Sequence, residues 1–452
     1  MPARWPQDTL SRQFVGWGGL MIGALLVTYA AINRWLPLPI REVWVAAMGV
    51  GWAYTLWACR GWWLAAGSAD GRPDELAGIW TGFGLTATLI ALLALYARAV
   101  DLPALGGLAA ALLGFGFFAT GSVAGRGALR LYAVAWWVGA LGIFLWPGVH
   151  TLLVLAALIV LLQVAPGFGA GVAAPFAAAF FLVSEGLERV FAVESAWLGL
   201  AAAGALTLAL RPAERAVVER LASPATRERP GGPPDSPVPE DSHITHRKGA
   251  KSMDAPNAYE DLAMVRRLME ETRELVCEHG KHFVVWGLLM VVALLATYAR
   301  LIDLAAVPVG WIWAAAMGVG WLFSFWAGRR DAGRARVRTT AGRLLGGIWI
   351  GFGITATIIG VLGLYTAAIE PELLGGLMAA LLGFGFFASS FVGRQRWLRW
   401  LALGWWAGSL AMLLWPGEHT LPLMAALIVA LQVAPGVVIH TRGRPAVEKR
   451  AA

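Results

Sequence analysis

A few side chains in this sequence have types and spacings that chemistry uses. CEHGKH at 277–282 places Cys277, His279 and His282 in one short stretch, and HITH at 243–246 adds two more imidazoles. Thiolate and imidazole bind zinc at such spacings. The set is incomplete for a closed site and lies among Arg and Lys, so no metal is expected. GFGFFA at 114–119 satisfies the start of a GxGxxA dinucleotide pattern. That pattern needs a strand before it and a soluble helix after it. Here it sits inside an apolar run, so no cofactor is expected. His150 and His419 follow WPG in WPGVH and WPGEH. Imidazole titrates near physiological pH, so each could sense external pH, but an anchor at the outer interface is the simpler reading. No Ser-His-Asp set, pair of acids or phosphate loop stands out, so the chain reads as no enzyme and no catalytic residue is assigned.

The remaining polar candidates lie inside apolar runs. Thr86, Thr88, Thr355 and Thr357 fall in two of them, Gln163 and Gln432 in two others. They read as interhelical hydrogen-bonding groups, or as the lining of a polar path for a neutral solute. No Asp, Glu, Lys or Arg is expected within a span of the repeated units. Ion-coupled carriers keep such groups at the midplane, so a proton-driven mechanism is not expected.

These residues must be positioned by membrane helices. The chain has 452 residues, 58% of them apolar and 14% charged. A soluble domain carries about 25% charged residues. The apolar residues fall in charge-free blocks such as 77–97, 344–369 and 420–439. Each block is long enough for a bilayer crossing, and helices are the open-chain solution in lipid. The expected class is all-α, a polytopic helical membrane protein. The net charge of +8 reads as Arg retained in cytoplasmic loops rather than as a nucleic-acid surface. The first apolar run, 14–32, lacks a small-residue cleavage site and reads as a retained span. Cys59 and Cys277 form no CxxC and read as reduced thiols.

AALLGFGFFA at 110–119 recurs letter for letter at 379–388, 269 residues on. At the same offset GIWTGFGLTAT (78–88) meets GIWIGFGITAT (347–357), and LWPGVHT (145–151) meets LWPGEHT (414–420). Residues 14–167 and 283–436 align without a gap, the mark of a tandem duplication. Each copy reads as six spans, in the second copy 283–299, 308–328, 346–369, 373–393, 400–415 and 420–439. The loop 329–343 holds six Arg and one Asp, and Glu370, Glu372 and Glu418 lie on the opposite side. The positive-inside rule then puts both ends of this copy in the cytoplasm of a plasma-membrane protein. The first copy is less clear, because Arg34, Arg41 and Arg98 fall on the expected outside.

The expected organisation is a cytoplasmic N-terminus 1–13, repeat A over 14–167, an extra hairpin 168–211 and a disordered linker 212–252. A cytoplasmic amphipathic helix 253–282, repeat B over 283–440 and a tail 441–452 follow. With the hairpin the spans number about fourteen; with that segment folded at the interface they number twelve. Two parallel repeats point to an intramolecular pseudo-dimer, as fusion of a homodimer's subunits produces. Gly78 and Gly82, Gly347 and Gly351, Gly114 and Gly116, and Gly383 and Gly385 are the expected helix-packing positions.

The segment 257–282 carries Leu262, Val265, Met269, Thr272 and Val276 on one face. It reads as a helix on the bilayer or bundle, or as a docking surface for a cytoplasmic protein partner. LMEETRELVCEHGKHFVVWG and LALGWWAG give 253–440 a general resemblance to multi-pass bacterial membrane proteins with a cytoplasmic helix before a six-span unit. That resemblance brings no activity with it. Two functions therefore stand as expectations: permeation of a neutral or apolar solute at the repeat interface, and a sensory or regulatory role through 253–282.

Overall fold

The structure is a computed structural model, and it describes residues 7–60, 75–97, 102–146, 150–164, 281–334, 340–393 and 395–438. The hairpin expected over 168–211, the linker, and the helix expected over 257–282 (its last two residues apart) lie outside the described residues. Among the described residues the chain is all-α, 88% helical and without strands.

The first series of helices is α1 (Gln7–Ile32), α2 (Ile40–Ala58), α3 (Glu75–Ala97), α4 (Leu102–Val123), α5 (Gly127–Leu145) and α6 (Thr151–Val164). The second is α7 (Lys281–Leu301), α8 (Val309–Arg334), α9 (Thr340–Thr357, continuing to Tyr365), α10 (Pro371–Val392), α11 (Trp397–Leu414) and α12 (Thr420–Val438). Nine of these are long and apolar enough to cross a membrane. The exceptions are α2, α6 and α11. Helix α6 is short; α2 and α11 mix several Trp with Arg41, Glu42 and Arg399, which lowers their mean hydropathy. These lengths and compositions make the chain a multi-pass membrane protein.

Local chemistry sets the helix ends. Glu370 occupies the N-cap position of α10 and Pro371 follows at N1, where a missing N–H costs nothing. Gly125, at φ 66°, turns the chain sharply between α4 and α5. Gly417, at φ 154°, does the same between α11 and α12. An L side chain would be strained at either position.

Helices α4 and α10 are central, with 83% and 78% of their apolar windows buried. By contrast α8 is at the rim, with 11% buried and Trp311 and Leu322 at 72% and 70% exposure. An apolar surface of that kind belongs against lipid. Among the largest fully buried side chains are Phe115, Phe117 and Trp136 in the first series and Phe384, Phe386 and Trp405 in the second, with Phe144 in the first alone. Each member of the second trio lies 269 positions after its counterpart.

Smaller contacts recur at the same offset. Trp17 donates its indole N–H to Thr55 Oγ1 at 2.8 Å, and Trp286 donates to Ser324 Oγ at 2.9 Å. Thr28 and Thr297 each donate to the carbonyl one turn back in their own helix, at 2.7 and 2.8 Å. Phe14 meets Trp80 edge-on at 4.7 Å between centroids, and Phe283 meets Trp349 at 4.9 Å.

Candidate functional site

Helices of the two series meet along a seam of glycines, threonines and aromatic rings. Helix α3 lies along α10, and α9 lies along α4. Glycines make this close approach feasible. A Cβ on Gly78 would fall in the ring of Phe391, and one on Gly82 would stand 2.9 Å from Phe387. Reciprocally, a Cβ on Gly347 would fall on Ser122, and one on Gly351 would stand 3.1 Å from both Phe115 and Phe118. Both GxxxG pairs thus seat side chains from the other series. Ser122 and Phe391 occupy matching positions, so the seam is reciprocal in backbone but unequal in bulk there.

Two indole–hydroxyl hydrogen bonds cross the seam in opposite directions. Trp137 Nε1 donates to Thr355 Oγ1 at 3.0 Å, and Trp406 Nε1 donates to Thr86 Oγ1 at 3.1 Å. Thr355 Oγ1 also donates to the carbonyl of Ala111 at 3.4 Å. Both threonines are completely buried. Between these bonds the rings of Phe115 and Phe384 approach to 4.3 Å. They are the same position of the two series touching itself, as happens on a two-fold axis. Phe83 reaches Phe384 at 6.3 Å, and Phe352 reaches Phe115 at 6.5 Å.

The other glycines serve their own series. Gly114 faces the Trp137 ring and Gly383 the Trp406 ring, both with their indole nitrogens 2.5 Å from a built Cβ. Gly116 faces Trp80 and Gly385 faces Trp349, at 3.3 and 3.5 Å. AALLGFGFFA therefore has two faces. Its glycines hold tryptophans beside it, and Phe115 or Phe384 points across the seam.

The six polar candidates do not converge on one place. Thr86 and Thr355 are at the seam. Thr88 Oγ1 accepts from Trp52 Nε1 at 2.9 Å, between α2 and α3. Thr357 donates to the carbonyl of Gly353 in its own helix, at 2.8 Å. Gln163 and Gln432 lie at a third kind of location, one in each series. Both sit in π-helical turns, Val160–Val164 and Val429–Val433. Gln163 Nε2 donates to the carbonyl of Phe14 at 3.3 Å, and Gln432 Nε2 to that of Phe283 at 3.2 Å. Each amide ties the last helix of its series to the first. A further π turn, Ile358–Leu362, interrupts α9, while α3 stays α-helical at the matching positions.

The histidines are separate again. His150 precedes α6, its ring 6.2 Å from Tyr29. His419 precedes α12 and its Nε2 lies 2.8 Å from the carbonyl of Trp415, a side chain 66% exposed. His282 packs at 5.3 Å from Phe323, while Cys277 and His279 lie outside the described residues. The buried Cys59 thiol accepts from Gln13 Nε2 at 3.7 Å.

Sequence reasoning found the glycines and threonines but missed Trp137, Trp406, Phe115 and Phe384 as seam residues. Phe115 and Phe384 stand in the segment the two series share letter for letter, and Trp137 and Trp406 in Trp-Trp pairs at the same offset. Chemically, the seam offers two indole–hydroxyl bonds, one hydroxyl–carbonyl bond and a wall of aromatic carbon. Comparison with family models, with curated proteins and with solved structures finds no match to this chain.

Proposed function

We propose that this chain is a non-enzymatic protein of the plasma membrane, built from two parallel six-helix units fused in tandem. On this reading both termini are cytoplasmic, and the hairpin over 168–211 brings the spans to about fourteen. The two units form an intramolecular pseudo-dimer that serves as a rigid membrane platform. The segment 253–282 is its docking element for a cytoplasmic partner. One observation carries the platform reading. Phe115 and Phe384 meet at 4.3 Å, both fully buried, where a path between the units would have to run. Aromatic carbon in contact leaves no route for a solute there.

The test is flux. Full-length protein in liposomes is mixed rapidly with glycerol or urea and followed by light scattering. The platform reading expects the rate of protein-free liposomes. A saturable, protein-dependent rate overturns it. Removal of 253–282 is then expected to abolish partner binding and leave membrane insertion intact.

A second reading is favoured by one observation, the matched π turns that carry Gln163 and Gln432. Such turns concentrate at functional sites. Permeation of a neutral solute would then run within each unit, along α1 and α6 or α7 and α12. On that reading flux is present, and Gln163→Leu with Gln432→Leu alters it.

A further inference from the structure

The ends of α2 and α8 present arginines in an unusual setting. The Arg60 guanidinium lies over the Trp57 ring at 5.6 Å. Arg330 lies over Trp326 at 5.1 Å, and Arg329 over Phe325 at 4.2 Å. Trp57 and Trp326 are matching positions of the two series, as are Arg60 and Arg329. All three rings are exposed, at 62%, 56% and 60%.

The other ends of these helices are different. With 26 residues, α8 runs about 39 Å, so its ends lie at opposite faces of a bilayer. At the far face Arg300 is 3.1 Å from Asp303, and Arg41 is 4.0 Å from Glu42. Among the described residues neither Arg60, Arg329 nor Arg330 has a carboxylate within ion-pair distance. Arg41 and Arg300 thus have acids beside them, whereas Arg60, Arg329 and Arg330 have rings.

We propose that these two helix ends bind anionic phospholipid headgroups, one site in each unit. The inference rests on the reading of the chain as a membrane protein with this face in the cytoplasm. Exposed Trp rings settle at headgroup depth. A guanidinium over such a ring makes no hydrogen bond to it, so its N–H groups can meet a phosphate with two parallel hydrogen bonds. The charge is complementary, because the cytoplasmic leaflet holds the anionic lipids. Two features separate this from a diffuse positive loop. The cations are fixed by ring contacts, and the arrangement occurs at equivalent places in both units.

The test uses the full chain in nanodiscs of mixed phosphatidylglycerol and phosphatidylcholine, released and weighed by native mass spectrometry. The wild type is expected to retain phosphatidylglycerol preferentially. The triple variant Arg60→Gln, Arg329→Gln, Arg330→Gln is expected to lose that preference, by about fivefold for each arginine removed. Trp57→Leu with Trp326→Leu leaves the charges in place and is expected to weaken it as well. That pair keeps the test decisive where the triple variant does not fold. Equal retention of the two lipids by the wild type, or an unchanged preference in both variants, overturns the proposal. So does equal protection by inorganic phosphate in detergent, which would make the site one for a soluble anion. Alkaline carbonate extraction of native membranes is run alongside. Release of the chain into solution would remove the membrane reading itself, and retention leaves the headgroup result to stand alone.

Discussion

At the scale of single residues the seam rests on two indole–hydroxyl pairs. Trp137 and Trp136 are neighbours on α5, yet only one is bonded. Trp137 reaches Thr355, while Trp136 Nε1 has no acceptor. Both indoles are buried, so replacing either by Phe removes a similar volume from the core. Trp137→Phe also strips Thr355 of its donor, and a membrane hydrogen bond of this kind contributes about 0.6–2 kcal/mol. Trp137→Phe is therefore expected to destabilise by that much more than Trp136→Phe in a reversible unfolding assay in mixed micelles. Trp406→Phe should match Trp137→Phe, because Thr86 stands where Thr355 does. Combining Trp406→Phe with Thr86→Val should cost less than the two changes added separately, since both break the same bond. Little of this was legible in the sequence. Composition marks Trp and Thr as suitable partners, but it cannot say that a residue at 137 meets one at 355. Sequence patterning reports which face of a helix is small or apolar. Contact across a pseudo-symmetry axis depends on how whole helices are placed.

At the scale of the helices, small residues decide which ones approach. Two classes of glycine are present. Gly82 and Gly351 face aromatic rings of the other series, whereas a Cβ on Gly19 or Gly49 would meet nothing within 4 Å. Gly82→Ala and Gly351→Ala are expected to destabilise the folded chain by about 1–3 kcal/mol, as overpacking does. Gly19→Ala and Gly49→Ala are expected to be neutral or slightly stabilising, because Ala is the better helix former. Thermal unfolding followed by tryptophan fluorescence separates the two classes. The π turns give a further expectation. Gln432→Leu removes the donor to the Phe283 carbonyl and should loosen α7 from α12, seen as faster amide exchange in both helices. Gln163→Leu should do the same to α1 and α6. Helix positions were well legible: the spans expected over 308–328 and 373–393 correspond to Val309–Arg334 and Pro371–Val392, while 400–415 is a helix, Trp397–Leu414, that is not among the nine apolar enough to cross. Long apolar runs report themselves by length. The π turns did not, since VLLQV and VALQV look like ordinary helix and the extra residue per turn comes from tertiary placement.

At the scale of the whole molecule the proposed duplication rests on the ungapped match of 14–167 with 283–436, and on that reading the seam joins two like units. A surface that meets its own copy must be complementary to itself, so both copies carry the same glycines, threonines and tryptophans at one offset. The departures are equally informative. Ser122 stands opposite Gly347 where Phe391 stands opposite Gly78, and one copy alone has the turn at Ile358–Leu362. The proposed pseudo-dimer makes a direct demand on geometry: residues far apart in sequence must lie side by side within one chain. The decisive measurement is intramolecular thiol cross-linking in native membranes, with Cys59 and Cys277 first replaced by serine. Phe118→Cys with Gly351→Cys, and in parallel Phe387→Cys with Gly82→Cys, bring thiols together across the seam. Phe118→Cys with Gly49→Cys is the control. Mild oxidation is expected to close both seam pairs within single chains and to leave the control pair open. Seam thiols that stay free, or that link only one chain to another, would contradict the fused pseudo-dimer.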